Sequence, residues 1–293
     1  MLYELQQSDY NKIYPLVGGN KETKVLPLSV LSKNNLGKVF VDNAENPKTA
    51  IIWVLGNAFY FFGDSSNAYF INSLNEFIDR TIAPLSKELV GINSSFETLI
   101  YDESWNQALK RVFQNRSLTK QGDDCDYMFT FNCKSYLATK EREIILPKGY
   151  AIKRIGNDCI VDDTYNPLRI DILDFWQSTD DFLEKGFGYF LLKNNKSIAV
   201  CFSAYVHEHW HEIAIRTYIQ EERRKGFATA TAKLYLNECL KKGLIPAWST
   251  QNTNVISHAL AEKLGFEFHS KLPSIMFSLN SEHRHCGLDP QSH

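Results

Sequence analysis

Arg223-Arg224-Lys225-Gly226-Phe227-Ala228 stands between an apolar, strand-like run, Ile213-Ala214-Ile215, and a clean amphipathic helical pattern. A helix entered from such a turn leaves its first amides without internal partners. Gly226 lets the backbone come close to a ligand, and the small Ala228 keeps the helix entrance open. Outward amides, two arginines and a lysine together suit an anion of pyrophosphate type. The helix that follows carries Ala228, Thr231, Ala232, Tyr235, Leu236, Cys239 and Leu240 on one stripe. It stops at Lys242-Gly243, a cationic last turn followed by glycine. The pattern predicts an α/β unit whose helix N-terminus suits an anionic ligand, although the same residues also read as a charged turn before a helix.

At 293 residues there is room for two ordinary domains or one large one. Hydrophobic and charged shares of 44% and 23% are those of a soluble globular protein. A net charge of −2 carries none of the basic excess that nucleic-acid binding leaves. No apolar run approaches the roughly 20 residues needed to cross a bilayer. The N-terminal stretch lacks the basic start and long apolar core of a signal peptide, so neither a membrane partner nor a leader is expected. Cys125, Cys133, Cys159, Cys201, Cys239 and Cys286 show no metal or redox spacing. They read as reduced thiols, which points to a cytoplasmic location.

The first half reads as its own α/β unit, over residues 1–140. Strands are expected at 37–42, 50–54, 58–62 and 127–131, with helices through Phe70–Ile82, capped by Asn67, and through Trp105–Phe113. A charged, aperiodic stretch ends at Pro147-Lys148-Gly149, and a second domain is expected over 147–279. There the order is a strand at 150–155, a helical region up to Phe175-Trp176, and a short helix at 180–185. Hairpin strands follow at 188–193 and 197–206, then the strand 212–217 and the loop already described. A strand at 244–250, a helix at 255–264 and a last strand at 275–279 complete it. No internal repeat is visible residue by residue. The tail, 280–293, has no apolar period and is expected to be disordered.

The six-residue loop matches the signature Arg or Gln, two residues, Gly, one residue, Gly or Ala. In its strand–loop–helix–strand–helix setting it resembles the acyl-CoA pyrophosphate loop of the GNAT superfamily of N-acetyltransferases. Further blocks narrow the likeness: Asp180–Gly188, Gly243–Trp248, Ala261–Phe266 and the N-terminal Val41–Lys48. They look like a two-domain branch that includes zwittermicin A resistance-type acetyltransferases, and the resemblance covers about residues 37–279. It implies a C-terminal GNAT fold, α/β (α+β) in class, with a mixed, mostly antiparallel central sheet flanked by helices. It also implies an N-terminal α/β domain that is a degenerate version of the same fold.

By that resemblance the co-substrate is acetyl-CoA. Arg223, Arg224, Lys225, Gly226, Phe227, Ala228 and Thr229 would hold its pyrophosphate. The backbone of Ile213 and Ile215 would pair with pantetheine amides, and Asn254 and Ser257 would reach the same arm. Asn254 reads equally as a plain helix cap. An amine must be uncharged to attack a thioester, so a base is needed near pH 7. Glu212 takes that role, eleven residues ahead of Arg223 on the preceding strand, where several GNAT enzymes carry a glutamate. Strand alternation sets Glu212, Ala214 and Arg216 on one face and Ile213, Ile215 and Thr217 on the other. Glu208, Trp210 and Arg216 are the expected acceptor-binding residues. Many relatives carry a tyrosine acid seven residues after the motif asparagine; here that position is Ala261, and Tyr205 is a substitute candidate.

His207-Glu208-His209-Trp210-His211 also spells the zinc-protease pattern H-E-x-x-H. That chemistry needs both histidines on one helix face, whereas the flanks here are strand-like, so no metal site is expected. The expected activity is acetyl transfer from acetyl-CoA to a primary amine of a small molecule, by direct attack in a ternary complex. The alternative is a non-catalytic acyl-CoA sensor or interaction module. Oligomeric state and the identity of the amine are left open by the sequence.

Overall fold

Residues 2–91, 94–120, 123–139, 145–160 and 166–279 are described by the structure, a computed structural model; the tail at 280–293 lies outside them. The first half contributes β1 (Tyr3–Glu4), α1 (Tyr14–Val17), α2 (Val25–Leu31), β2 (Gly37–Val41), β3 (Thr49–Val54) and β4 (Phe59–Gly63). Next come α3 (Ala68–Phe77), a π turn at Ile78–Ile82, α4 (Ala83–Leu89) and β5 (Ser95–Leu99). The half ends with α5 (Glu103–Val112), β6 (Leu118–Lys120), β7 (Cys125–Phe131) and α6 (Cys133–Thr139).

The second half begins with β8 (Tyr150–Arg154), α7 (Asn157–Ile160), α8 (Asn166–Leu173) and α9 (Thr179–Lys185). It continues through β9 (Gly188–Lys193), β10 (Lys196–His207), β11 (Trp210–Thr217), α10 (Phe227–Lys242), β12 (Ile245–Gln251), α11 (Val255–Lys263) and β13 (Phe266–Ser278). The expected elements are met closely apart from the last strand, while β1, α1, α2, α4, β5, β6 and α6 have no counterpart among the expectations. Asn67 caps α3 as expected, its side chain accepting a hydrogen bond from the amide of Phe70.

The two halves share one strand plan. β1 to β4 pair antiparallel in chain order, and β4 meets β5 in parallel at Phe59 and Thr98. β8 to β11 likewise pair antiparallel, and β11 meets β12 in parallel. A helical crossover joins each parallel pair, α3–α4 in one half and α10 in the other. The repeat is therefore one of topology rather than of residues.

The closing strands are exchanged. β7, from the first half, lies against β12; β13, from the second, pairs with β7 up to Pro273 and with β5 from Ser274 onward. All described strands thus form a single sheet, in the order β1-β2-β3-β4-β5-β13-β7-β12-β11-β10-β9-β8, with β6 against β13. β13 begins at Phe266 rather than near Ile275. Its first part alternates poorly, because Glu267, Phe268 and His269 all face outward.

Strand alternation sets the apolar layers, three of which frame the strands that the halves share. Phe40, Trp53, Phe61, Phe70 and Phe96 pack under α3 and α5, joined by Ile275 and Phe277 of β13. Phe129, Trp248 and Phe266 pack with Tyr235, Leu236 and Cys239 of α10. The opposite face is shared by both halves: Ile52, Tyr60 and Leu99 meet Met128, Tyr205, Ala247 and Leu272 there, under α2. Each such buried side chain contributes about 1.5–3 kcal/mol. Buried Asn35 stitches this seam, donating to the carbonyls of Ala204 and Phe175 and accepting from the amide of Val206.

Candidate active site

β11 and β12 pair only at Trp210–Ile245, His211–Pro246 and Glu212–Ala247, and beyond that point they part. Glu212 sits where they part and is 4% exposed. Ser249 of β12 donates to its Oε1 twice, from the amide at 2.6 Å and the hydroxyl at 2.7 Å. Oε2 is buried with no hydrogen-bond partner among the described residues. Burial pushes this carboxyl up to about 7, and the two bonds from Ser249 pull the other way. Tyr205, the substitute proton donor named from the sequence, is the cross-strand partner of Glu212 in β10. Burial, with the charge of Glu212, raises its hydroxyl above the usual tyrosine range and keeps it protonated. Ala261 is fully buried in α11.

The loop at the far end of β11 has the geometry of an anion seat. Gly226 is the N-cap of the 16-residue α10, with φ +84° and no side-chain cap. The first helical bond runs from Ala230 to Gly226, so the amides of Phe227, Ala228 and Thr229 lie ahead of the ladder. Space over Gly226 is clear to 4 Å. Arg223 and Arg224 are exposed and form no ion pair with the described residues; Arg224 itself has φ +61°. Lys225 instead turns to Glu222 at 2.8 Å, which Tyr150 and Lys193 also bind, and these contacts hold that carboxyl down to about 2. Phe227 is buried against the Tyr150 ring, 4.7 Å between centroids. Lys225 and Phe227 therefore anchor the loop by their side chains, while the arginines and the amides are left to face a ligand.

The remaining expected residues are spread out. Ile213 and Ile215 pack toward α10 as alternation requires. Asn254 caps α11 by accepting from the Ser257 amide at 3.1 Å, and the Ser257 hydroxyl accepts from the indole of Trp248 at 3.0 Å. Arg216 is bound to Asp171 of α8, which Tyr218 also holds. Glu208 lies in the β10–β11 turn, paired with Lys21 at 2.9 Å, and the Trp210 ring is tilted against His209 with centroids 3.7 Å apart. Trp210 and Arg216 stand six residues apart on β11, roughly 20 Å of strand, so the three acceptor candidates do not converge. His207 reaches Ser32 and His211 reaches Ser203, on opposite faces of the sheet, and the histidine motif brings no ligands together.

The first half offers the same parting between β4 and β5 but a closed helix start. Asp64 accepts from the amide and hydroxyl of Ser66, and Asn67 caps α3. Acidic and amide side chains there occupy the place that arginines and free amides hold in the second half.

The GNAT acetyltransferase family model matches residues 15–274. The chain is 28% identical over 272 residues to the Bacillus subtilis (strain 168) protein named Uncharacterized N-acetyltransferase YdfB, covering 91% of this chain and 95% of that one. The crystal structure of a GCN5-related N-acetyltransferase-like protein from Streptococcus suis 89/1591 superposes with a TM-score of 0.63, at 18% identity, over 92% of this chain and 98% of that one. A tandem GNAT protein from the clavulanic acid biosynthesis pathway does so with a TM-score of 0.58, at 8% identity, over 96% and 100%. The family match over residues 15–274 makes the chain a member of the GNAT acetyltransferase family, and the parted parallel strands and glycine-led helix belong to the fold it shares with those structures.

Proposed function

We propose that the protein transfers an acetyl group from acetyl-CoA to a primary amine of a small molecule, by direct attack in a ternary complex, with Glu212 as the base. The observation that carries this is the buried, half-satisfied carboxylate of Glu212 at the point where β11 and β12 part. The zwittermicin A resistance-type branch and a first half descended from a second acetyltransferase fold belong to the same proposal. The repeated strand plan supports the latter. Buried free thiols at Cys125, Cys159, Cys201 and Cys239 are in keeping with a cytoplasmic setting.

Acetyl-CoA, when bound, supplies the thioester that the amine attacks. The clear space over Gly226 and the free amides of Phe227, Ala228 and Thr229 fit its pyrophosphate, with Arg223 and Arg224 adding charge. The β11 backbone from Ile213 to Ile215, beyond its pairing with β12, offers edge groups to pantetheine amides. Glu212 Oε2 takes one proton of the acceptor ammonium, which frees the nitrogen lone pair to form the C–N bond; as the C–S bond breaks, the nitrogen gives up a second proton, which balances the one taken by the leaving thiolate. Ser249 aims the carboxylate by fixing Oε1. Tyr205, protonated beside Glu212, is the nearest replacement for the acid that Ala261 cannot supply.

Thiol release from acetyl-CoA, followed across a panel of primary amines with the wild type and with Glu212→Gln, tests the proposal. Turnover that drops about a hundredfold or more in the variant is the expected result. Tight CoA binding with no transfer to any amine would leave an acyl-CoA sensor in its place.

A further inference from the structure

β10 breaks its register with β11 beside Glu212. Phe202 stands opposite Ala214 and Ser203 opposite Ile213, but the next pair is Tyr205 with Glu212, so Ala204 is an extra residue in β10. Plain alternation would set Tyr205 on the face of Ser203, whose hydroxyl meets that of Tyr235 in α10 at 2.9 Å. The bulge turns Tyr205 over. Ala204 and Tyr205 both lie in the core that the halves share, on the face of Glu212. In the strand plan of the first half β3 takes the place of β10, and it pairs with β4 without such a shift.

A bulge leaves backbone groups out of the ladder, and buried ones need partners. β9 does not supply them, because its last pair with β10 is Gly188 with Phe202. The first half does. Asn35, 7% exposed in the turn between α2 and β2, donates from Nδ2 to the Ala204 carbonyl at 2.8 Å. Its Oδ1 accepts from the Val206 amide at 3.0 Å. The groups it binds thus bracket Tyr205 on both sides. Nδ2 also donates to the Phe175 carbonyl at 3.0 Å, and the Phe175 ring stands edge-on to Tyr205, 5.3 Å between centroids. Asn34 adds a bond to the Val206 carbonyl at 2.9 Å. Side chains of the first half therefore take over the edge of β10 where its neighbouring strand ends.

We propose that Asn35 is a positioning residue for acetyl transfer: by bridging the Ala204 bulge it holds Tyr205 opposite Glu212, where the hydroxyl protonates the departing sulfur. As the C–S bond breaks, the hydroxyl proton passes to sulfur, and the second proton of the acceptor nitrogen replaces it on the tyrosine oxygen. The first half, whose own helix start is filled by side chains, then completes the site of the second. This assignment rests on the acetyl-transfer reading, with Tyr205 as its acid.

The test is a double-variant cycle on the full chain, with kcat and the KM for acetyl-CoA read by thiol release. Tyr205→Phe should lower kcat about a hundredfold. Asn35→Ala should lower it at least about tenfold, with the KM for acetyl-CoA within about twofold, because the loop at Gly226 is untouched. In the Tyr205→Phe background the same change should cost less than about twofold, since no acid is left to position. Asn35→Asp keeps the acceptor for Val206 and, when protonated, one donor for Ala204, so it should recover part of kcat. It replaces Asn35→Ala in the cycle if that variant does not fold. Equal losses of kcat in the two backgrounds overturn the assignment. Full activity in Tyr205→Phe while Glu212→Gln is slow defeats this inference and leaves the catalytic reading standing. If no amine is acetylated, the catalytic reading fails separately, and the fluorine resonance of Tyr205 labelled as fluorotyrosine decides this one. A shift of that resonance in folded Asn35→Ala supports the positioning; an unmoved resonance refutes it.

Discussion

Ser249 spends both of its donors on one oxygen of Glu212, Oε1, at 2.6 and 2.7 Å, and leaves Oε2 bare inside the protein. A carboxylate held by one oxygen is aimed, and one buried on the other is basic. Neither property belongs to Glu212 alone.

Activity should follow the ionisation of that carboxyl. Glu212 accepts a proton only when ionised, so kcat/KM should rise as pH passes through about 7 and level off above it. Glu212→Gln removes the rising limb. Ser249→Ala takes away one bond to the charged form, so the limb should move to higher pH, with turnover at neutral pH lower by about tenfold. A pH–rate profile of Ser249→Ala that superposes on the wild type would discard this role.

The same group makes stability depend on pH. Its carboxyl titrates at about 7 when folded, against 4.5 for the unfolded reference. The unfolded chain therefore loses its proton first, and stability declines as pH rises across that window. Glu212→Gln should be more stable than the wild type at pH 8 by about 1–3 kcal/mol, with the difference gone near pH 4. Urea denaturation at the two pH values measures it.

Affinity for CoA should depend on the backbone of Gly226 and on the exposed arginines. At φ +84° an alanine is strained by about 1–2 kcal/mol, and its Cβ intrudes on the clear space over the loop. Gly226→Ala should weaken CoA about tenfold by calorimetry. Arg224→Ala should weaken it roughly threefold to tenfold at low salt and less at high salt. Lys225→Ala acts through Glu222 and should lower the melting temperature instead.

Asn67→Ala separates the two halves functionally. Loss of this cap should cost about 1 kcal/mol of stability. Affinity for CoA should stay as it was, because the start of α3 is already filled by side chains. A matching fall in affinity would instead place a CoA site in the first half.

Phe277 belongs to the last strand yet lies 2% exposed in the core of the first half, stacked on Phe96 at 4.9 Å. Phe277→Ala should destabilise the protein by about 3–5 kcal/mol. Hydrogen exchange should show β5 losing protection together with β13, although more than 170 residues separate them in the chain.

Much was legible before any coordinates. The stripe from Ala228 to Leu240, the glycine after Lys242 and the alternation from Glu212 to Thr217 are local patterns, and local patterns survive folding. The glycine-led helix start at Gly226 was legible because a cap acts at short range. Ser249 was not. A serine late in one strand carries no periodic signal, and it matters through a partner on a different strand. Trp210, Glu208 and Arg216 show the converse: they are near in sequence yet spread along the strand and tied to Asp171, Lys21 and His209.

The sequence by itself determined the α/β class, the glycine-led start of α10 and the place of Glu212 on its strand, since each rests on residues within one turn or one strand of each other. Only the tertiary structure decided that β7 and β13 trade places between the halves, that Lys225 serves the loop rather than a ligand, and that Ser249 comes to hold Glu212 from the next strand. Strand exchange is a matter of which edges meet, and edges are chosen by burial summed over the whole chain.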